Sequence, residues 1–314
     1  MTSLVFRSWR RSEHPRRTVA GVSRPFSFGF EAIGATWEID TSVPLSDGLR
    51  SDIYVLADDF DRTWSRFRAD SLVSAIARAR HGGRFEFPAD STVLFHLYDR
   101  LVADTLGAID PLVGKDLELL GYDPSYTLRP DSAGLAARGV PESWRSDVRR
   151  VGAVLETDRP VVIDVGAAGK GRLVDLIAEL LLERGITVFI VDGSGDLRHV
   201  GAAAVSVGLE HPTAPGRVIG VVELSNQSLC ASAVNRRAWG DGLHHVLDGR
   251  TRRPVTDVAA TWVVADDAAT ADGLASALFV AEPAQLASFQ FAWVRMLVDG
   301  RVQWSNDFVG ELFV

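Results

Sequence analysis

Residues 161–175 read VVIDVGAAGKGRLVD, where an apolar run ends in an aspartate and a glycine-rich segment with one lysine follows. The run at 161–165 predicts a β-strand, and leucine and isoleucine residues at helical spacing predict a helix over 172–184 that ends at Gly185. A glycine-rich turn leading into a helix presents unpaired backbone N–H groups at the positive end of the helix dipole. The stretch therefore predicts an anion site, to which Lys170 adds charge. The alternative is a tight turn whose glycines serve only close packing.

Two common nucleotide-binding motifs do not fit this segment. The P-loop pattern G-x-x-x-x-G-K-[ST] would require a glycine at 164 and a hydroxyl residue at 171, but the chain has Asp164 and Gly171 there. The dinucleotide pattern G-x-G-x-x-G fits neither GAAGKG at 166–171 nor GSGDLR at 193–198. The segment thus indicates anion binding without identifying a nucleotide class.

A second segment, TADGLASALFV at 270–280, predicts a helix that begins near Thr270, whose hydroxyl could cap it. Asp272 and Ser276 are four positions apart, so they share one face of this helix. A carboxylate and a hydroxyl one turn apart can offer two hard oxygens to Mg²⁺. In isolation, a solvated aspartate and a packing serine are the commoner explanation of this pattern. The metal interpretation requires that the glycine loop lie beside this helix.

The composition limits the classes of protein. The chain has 314 residues, a net charge of −8 and 46% hydrophobic residues, which is ordinary for a folded, soluble protein. The acidic balance argues against nonspecific DNA binding and predicts no nucleic-acid partner. Cys230 is the single cysteine, so no intrachain disulfide can form. No apolar run approaches the roughly 18 residues of a membrane-spanning helix, which predicts no transmembrane segment.

The order of predicted elements indicates an α+β fold. FSFGFEAIGATWEID at 26–40 predicts strand, turn and strand, whereas 46–66 and 90–106 predict helices. Strand patterns dominate 203–265 without the regular alternation of a doubly wound sheet. We therefore expect one large domain over 26–314, with predominantly antiparallel sheets flanked by helices.

Residues 1–25 contain six arginines and no long apolar core. They predict a disordered basic tail, with no secretory signal and no cysteine to accept a lipid. The expected compartment is therefore the cytoplasm.

Seven segments, in order, resemble motifs of the ApbE family, the FAD:protein FMN transferases. They are AIGATWEID (32–40), WSRFRADSLVS (64–74), GAIDPLVG (107–114), IDVGAAGKGRLVD (163–175), VDGSGDLR (191–198), HHVLDGRTRRPV (244–255) and TADGLASALFV (270–280). The resemblance spans roughly residues 30–285 and implies the family's T-fold-related type of domain. It also implies Mg²⁺-dependent transfer of FMN from FAD to a threonine hydroxyl of an acceptor flavoprotein with a Ser/Asp-Gly-x-Thr-like motif, with AMP as the leaving group.

The resemblance assigns candidate residues to each role. Mg²⁺ would be held by the Gly169 carbonyl, Asp272 and Ser276, and His245 would be the general base, with Asp248 orienting it or shaping the turn. Contacts to FAD would come from residues in five segments: Ile33, Phe67, Ala108, Ile109, Asp110, Gly166, Lys170, Arg172 and Leu247. Two alternatives stay open at this point, an FAD pyrophosphatase that yields FMN and AMP and a protein that binds FAD without turnover.

Several positions depart from the family pattern. Ser276 replaces a threonine but keeps the hydroxyl, and Arg172 replaces a tyrosine and could place charge near a phosphate. Gly249 stands where the family has proline, and Arg252 where it has glycine. ASAVN at 231–235 replaces Thr-Ser-Gly-Asp-Tyr, in the region expected to meet the acceptor or the flavin.

Three aspartates have structural alternatives. Asp110 could accept hydrogen bonds from a base or ribose, or it could cap the turn before Pro111. Asp164 and Asp196 are expected to hold turns through backbone hydrogen bonds.

Overall fold

The computed structural model of the protein describes residues 25–313. The predicted basic tail at 1–25 therefore lies, apart from Pro25, outside the described residues. The described part contains the following α-helices: α1 (Asp47–Trp64), α2 (Leu72–Arg78), α3 (Ser91–Asp104), α4 (Gly114–Leu119), α5 (Ser132–Ala137), α6 (Trp144–Asp147), α7 (Gly169–Glu183) and α8 (Ala268–Ala277). Short 3₁₀ helices occupy Pro111–Val113, Val234–Arg237 and Pro283–Leu286.

The strands pair antiparallel throughout the described part of the chain, as the sequence predicted. They are β1 (Phe26–Ala32), β2 (Ala35–Thr41), β3 (Gly83–Glu86), β4 (Arg149–Val151), β5 (Val154–Thr157), β6 (Phe189–Asp192), β7 (Asp196–Val200), β8 (Val205–Glu210), β9 (Val218–Leu224), β10 (Ser228–Ala233), β11 (Ala238–Trp239), β12 (Leu243–His244), β13 (Leu247–Asp248), β14 (Arg253–Pro254), β15 (Val258–Ala265), β16 (Ala292–Leu297), β17 (Val302–Trp304) and β18 (Gly310–Leu312).

An eight-stranded sheet in the order β1-β2-β6-β7-β10-β15-β16-β17 forms the centre of the domain. Three-stranded sheets β18-β9-β8 and β3-β5-β4 accompany it, together with the short hairpins β11-β12 and β13-β14. Within residues 25–313, no helix is both long enough and apolar enough to cross a membrane.

The central sheet is covered on both faces, which explains the almost uniformly apolar sequence of β15. Val263 and Ala265 belong to the core beneath the helices, whereas Trp262 and Val264 belong to the core shared with β8 and β9. Alternate side chains of a strand point to opposite faces, so one strand supplies both cores. The helical layer places α7 and α8 side by side, with α7 against β7 and α8 against β10 and β15 of the central sheet.

The predicted elements agree with the structure except near the glycine loop. The helices predicted over 46–66, 90–106, 172–184 and 270–280 correspond to α1, α3, α7 and α8. The strand predicted at 161–165 is wrong, because Asp164 donates its N–H to Pro111 O at 2.7 Å instead of joining a ladder. The cap predicted at Thr270 is also wrong, since the Asp267 side chain accepts the Thr270 N–H at 2.7 Å.

Candidate active site

The glycine loop and helix α8 are in direct contact. Gly171, in the first turn of α7, donates its backbone N–H to the Asp272 carboxylate at 3.0 Å. A Cβ atom at Gly171 would lie 2.1 Å from the carbonyl oxygen of Ala268, so only glycine allows the two helices to come this close. Close packing and the placement of Asp272 at the loop therefore depend on the same glycine.

Asp175 fixes the N-terminus of α8 from the neighbouring helix. Its two carboxylate oxygens accept the backbone N–H groups of Ala268 and Ala269, each at 2.8 Å. With Asp267 on Thr270, three N–H groups that a helix start leaves unpaired are satisfied. Burial raises the pKa of Asp175 to about 7, against the opposing effect of the two N–H donors.

Hard oxygen donors lie where the loop faces α8. Ser276 donates its hydroxyl to the carbonyl oxygen of Ala167 at 3.3 Å, and the buried Asp272 lies one helical turn before it. Gly169, which was expected to supply a metal-binding carbonyl, is the first residue of α7 and lies two positions after Ala167. The Ser276 hydroxyl thus contacts the carbonyl of Ala167, and the assignment of Gly169 as a metal ligand stays a prediction.

The charges around these oxygens favour a cation. The pKa of Asp272 is raised well above its usual range by burial and then by the nearby Asp196, while the Lys170 ammonium opposes the shift. Lys170 Nζ forms an ion pair with Asp196 Oδ2 at 2.7 Å and donates to Gly193 O at 2.7 Å. One ammonium thus offsets the negative charge of two buried carboxylates, which leaves room for a further cation. Mg²⁺ prefers oxygen ligands of the kind that a carboxylate, a hydroxyl and a carbonyl provide. Asp196 holds this ion pair through its side chain, and its carbonyl oxygen accepts the Gly193 N–H at 2.8 Å, which agrees with its predicted role in holding a turn.

This candidate metal site does not consist of the side chains that most often bind metals. Within residues 25–313 there is no cluster of three or more His, Cys, Asp or Glu side chains that could hold a metal ion. At this place, a backbone carbonyl and a hydroxyl would have to complete the set that Asp272 begins.

A buried ion pair supports the start of the loop. Arg66 donates from Nε to Asp164 Oδ2 at 2.6 Å and from its terminal nitrogen to Tyr122 O at 2.8 Å. Burial pushes the pKa of Asp164 upward, but the Arg66 guanidinium and the Gly166 N–H outweigh it and hold that pKa below its usual range. Asp164 accepts the Gly166 N–H at 2.7 Å, which confirms its predicted role in holding the turn.

An aromatic surface adjoins this ion pair. Phe67 is stacked against Tyr126, with ring centroids 5.1 Å apart and planes inclined by 9°. The Arg66 guanidinium lies 4.2 Å from the Phe67 centroid, and Tyr122 stacks on Trp239 at 5.4 Å. Flat aromatic faces beside an anion site suit a ligand that carries both planar rings and phosphate.

His245 lies in the segment between β12 and β13, within electrostatic reach of Arg237 and of Asp164 before the loop. Burial first, and the Arg237 cation second, lower the pKa of His245 to about 3. Its buried Nδ1 has no hydrogen-bond partner within the described residues. The ring is therefore neutral rather than titrating near neutrality, which corrects the expectation from the sequence.

Asp248 does not orient this imidazole. Its carboxylate accepts the backbone N–H of Arg250 at 2.9 Å and the Arg250 guanidinium at 3.0 and 2.6 Å. Of its two predicted roles, shaping the turn between β13 and β14 is the one that the structure supports.

The family model described as ApbE family matches residues 33–292. The chain belongs to the ApbE family. Relatives named FAD:protein FMN transferase include one from Rhodobacter capsulatus, 28% identical over 268 residues, and one from Vibrio cholerae, 27% identical over 255 residues. The first alignment covers 80% of this chain and 50% of that relative, and the second covers 75% and 74%. The chain thus spans about half the length of the Rhodobacter capsulatus relative.

Solved ApbE structures share the fold. The flavin transferase ApbE from Vibrio cholerae superposes with a TM-score of 0.78 at 24% identity, covering 90% of this chain and 97% of that one. The ApbE protein from Thermotoga maritima gives a TM-score of 0.79 at 22% identity, with the same coverage. The predicted α+β architecture is confirmed by these likenesses.

In this ApbE-family chain, the other predicted contacts to FAD lie around the loop with different degrees of access. Ala108 and Ile109 are buried, and Leu247 packs in a cluster with Tyr122 and Trp239. Gly249 donates its N–H to Ala108 O at 2.9 Å, a bond that the family's proline at this position could not make.

Ile33 approaches the loop indirectly. It occupies the turn between β1 and β2 with φ 45°, and Ser194 donates its hydroxyl to Thr36 O of β2 at 2.7 Å. Because the adjacent Gly193 carbonyl accepts from Lys170, the turn at 193–195 links the start of the chain to the loop.

Two residues that were predicted to contact FAD bind other groups of the protein instead. Asp110 accepts the backbone N–H groups of Leu112 at 2.9 Å and Trp144 at 2.9 and 3.1 Å, so its capping role is the one observed. Arg172 pairs with Glu179 at 2.8 Å and with Asp90 at 3.8 Å, near the start of α3. Its guanidinium is therefore directed along α7 rather than to the loop, which corrects the expectation that it adds charge near a phosphate.

Sequence reasoning missed several residues of the site. Arg66 and Asp175 lie inside motifs that resemble the family's, and a charged residue in an otherwise apolar helix or turn was the available signal. The carbonyl of Ala167 carried no signal, because every residue has one. Arg237 follows ASAVN and Arg236, and nothing in its local pattern distinguishes it from a solvated arginine.

Proposed function

We propose that the chain is a Mg²⁺-dependent enzyme that transfers FMN from FAD to a threonine hydroxyl of an acceptor flavoprotein and releases AMP. One relationship carries the proposal: the loop that can receive a diphosphate contacts α8 through Gly171 on Asp272 at 3.0 Å and Ala167 on Ser276 at 3.3 Å. The names of the ApbE-family relatives support the choice of FAD as the substrate.

FAD would bind with its diphosphate at the glycine loop and one of its ring systems on the aromatic surface around Phe67. Asp272 and Ser276 would hold Mg²⁺ between the loop and α8, together with a backbone carbonyl of the loop. Gly169 is the predicted source of that carbonyl, and the carbonyl of Ala167 is the one that contacts Ser276. When bound, that ion neutralises charge on the diphosphate and stabilises the leaving phosphate. Phosphoryl transfer depends mainly on positioning and charge neutralisation, which are the two functions assigned here to the loop and to the ion.

The transfer step would use the chain's own groups as follows. The acceptor oxygen forms a bond to the phosphorus on the FMN side, and the bond from that phosphorus to the bridging oxygen breaks. AMP leaves with the bridging oxygen and the electron pair. The acceptor proton goes to Nδ1 of the neutral His245. A bound diphosphate places negative charge near the ring and raises its pKa, which is the direction that a general base needs.

The acceptor is expected to carry a Ser/Asp-Gly-x-Thr-like motif, because that is the partner implied by the family resemblance. The cytoplasmic location, the basic tail and the domain limits of 26–314 stay predictions. The family match at 33–292 lies within those limits.

Product analysis tests the proposal. The purified chain is incubated with FAD and Mg²⁺, with and without an acceptor protein bearing the motif, and nucleotides and protein masses are measured. We expect AMP and an acceptor heavier by one FMN, both dependent on Mg²⁺. AMP formed equally without acceptor would establish the pyrophosphatase instead, and bound FAD without AMP would establish a binding protein.

A further inference from the structure

Arg237 occupies the residue pair opposite His245. It ends the 3₁₀ helix Val234–Arg237 and precedes β11, which pairs with β12 in the register Ala238↔His244. The next pair outward along this antiparallel ladder is Arg237 and His245. The register therefore places the arginine beside His245.

Contacts of β11 with the rest of the domain fix the position of Arg237. Trp239 is buried, donates from Nε1 to Leu120 O at 2.9 Å and stacks on Tyr122. Tyr122 in turn supplies the carbonyl that Arg66 binds beside the loop. Arg237 is thus attached through a buried tryptophan to the same framework that holds the glycine loop.

The charge of Arg237 is felt by groups from four separate segments. It lowers the pKa of Asp164 before the loop, of Asp272 on α8, of His245 and of Tyr126. Groups on different elements respond to one cation only if that cation lies near the place where they converge.

The side chain of Arg237 is exposed, and no carboxylate of the described residues forms an ion pair with it. Other cations near the loop are already paired: Lys170 with Asp196 at 2.7 Å, and Arg66 with Asp164 at 2.6 Å. Its neighbour Arg236 is also paired, with Glu210 at 2.6 Å. The charge that the loop lacks for a diphosphate is therefore available at Arg237.

We propose that Arg237 is a phosphate-binding residue of this site, whose guanidinium donates hydrogen bonds to a phosphate oxygen of FAD held at the glycine loop. This rests on the proposed function. A guanidinium matches phosphate geometry with two parallel donors, and its charge persists at every pH at which the protein is folded. Arg237 would therefore favour flavins that carry phosphate over riboflavin, and it would hold the phosphorus in place for attack.

The neighbouring arginine provides a matched control. Arg237→Ala and Arg236→Ala remove the same side chain from adjacent positions, but only the first removes the unpaired cation. The dissociation constants of FAD and of riboflavin are measured for both variants and the wild type by flavin fluorescence in the presence of Mg²⁺. Thermal unfolding of each variant confirms that it is folded, and Arg237→Gln replaces Arg237→Ala if the latter is not.

We expect Arg237→Ala to weaken FAD binding by roughly 10- to 100-fold, the range of a charge-assisted hydrogen bond, and to leave riboflavin binding unchanged. Arg236→Ala should stay within about twofold of the wild type for both ligands, a change too small to represent a lost charge-assisted bond. Arg237→Lys should recover part of the loss, because it restores charge but not the paired donors.

Equal FAD affinities for Arg237→Ala and Arg236→Ala, in a protein that binds FAD, would overturn this inference and leave the proposed function standing. An equal loss of riboflavin and FAD would also overturn it, because the arginine would then act on the aromatic surface. A wild-type protein that binds no FAD would overturn the proposed function itself, and this inference with it.

Discussion

The carboxylate of Asp272 accepts the backbone N–H of Gly171 at 3.0 Å, although the two residues are 101 positions apart in the chain. This bond joins the start of α7 to the middle of α8. It also leaves Asp272 buried beside Asp196, with the ammonium of Lys170 as the nearby counter-charge. The Asp272 carboxylate thus has two roles: it joins α7 to α8, and it provides a buried charge that a cation would stabilise.

Replacing Asp272 should separate these two tasks. Asp272→Ala removes both the carboxylate and the hydrogen bond, whereas Asp272→Asn keeps an acceptor for Gly171 and removes the charge. We expect both variants to lose Mg²⁺-stimulated AMP release, measured by chromatography, and Asp272→Asn to retain the greater stability. His245→Ala serves as the comparison, because it removes the proposed base and leaves the proposed metal site unchanged. It should abolish transfer while FAD still binds. Full Mg²⁺-stimulated AMP release by Asp272→Ala would show that the metal assignment is wrong.

Gly171→Ala should disturb the contact through packing alone. The new methyl group would lie 2.1 Å from the carbonyl oxygen of Ala268, so α7 and α8 would have to move apart. We expect a loss of about 1–3 kcal/mol in the free energy of unfolding, the usual cost of overpacking, and weaker binding of Mg²⁺. Urea denaturation measures the first quantity.

Gly48→Ala is the matched control for this change. Gly48 is also near the start of a helix, α1, and a Cβ there meets nothing within 4 Å. Its substitution should leave stability unchanged or slightly higher, because alanine favours the helix. If the two variants were equally stable, the close approach of α7 and α8 would not be the reason for glycine at 171.

Asp175 tests how α8 is held in place, because it binds the start of α8 and is not itself a predicted contact to FAD or Mg²⁺. Asp175→Ala leaves the N–H groups of Ala268 and Ala269 without their acceptors, which should cost about 1–2 kcal/mol of stability. The affinity for Mg²⁺ should fall as well, since α8 carries Asp272 and Ser276. Calorimetric titration measures the affinity. A variant that loses stability but binds Mg²⁺ normally would show that the position of α8 is fixed by packing instead.

Much of this arrangement is readable from sequence. Helical periodicity predicts α7 and α8, and the four-residue spacing of Asp272 and Ser276 is enough to place both on one face of α8. That the loop lies beside this face does not follow from spacing. It depends on Gly171 and on Asp175, whose partners are about a hundred positions away.

The errors share a physical cause, which is that side-chain partners are set by tertiary packing. Arg172 is near the predicted phosphate site in sequence, yet its guanidinium pairs with Glu179 and Asp90. A histidine is expected to titrate near neutrality, yet burial and the Arg237 cation lower the pKa of His245. The contact between the Ala167 carbonyl and the Ser276 hydroxyl was not predicted either, because α7 begins earlier than periodicity indicated.

The low pKa of His245 has a consequence for stability. The folded pKa is about 3, below the value of about 6.5 for an unfolded histidine. Between these two values the unfolded chain binds more protons, so this residue's contribution to stability falls as the pH falls through that window. Relative to His245→Gln, the wild type should lose up to about 2 kcal/mol between about pH 7.5 and pH 5.

Urea denaturation at both pH values measures this difference. His81→Gln, at an exposed turn, should show the pH dependence of the wild type. Identical pH dependence in wild type and His245→Gln would mean that His245 is not kept neutral by the fold.

Arg252 occupies a position where the family has glycine, and its backbone explains the family's choice. Its φ is 57°, in the left-handed region, and its buried side chain lies 3.6 Å from Asp116, which Arg138 also contacts at 3.2 Å. Arg252→Gly removes the strain and the ion contact together, whereas Arg252→Ala removes the contact and keeps the strain. The difference between the two variants therefore isolates the backbone term, and we expect Arg252→Ala to be less stable than Arg252→Gly by about 1 kcal/mol. Urea denaturation decides the matter: equal stabilities would mean that the turn relaxes out of the left-handed region once the arginine is gone.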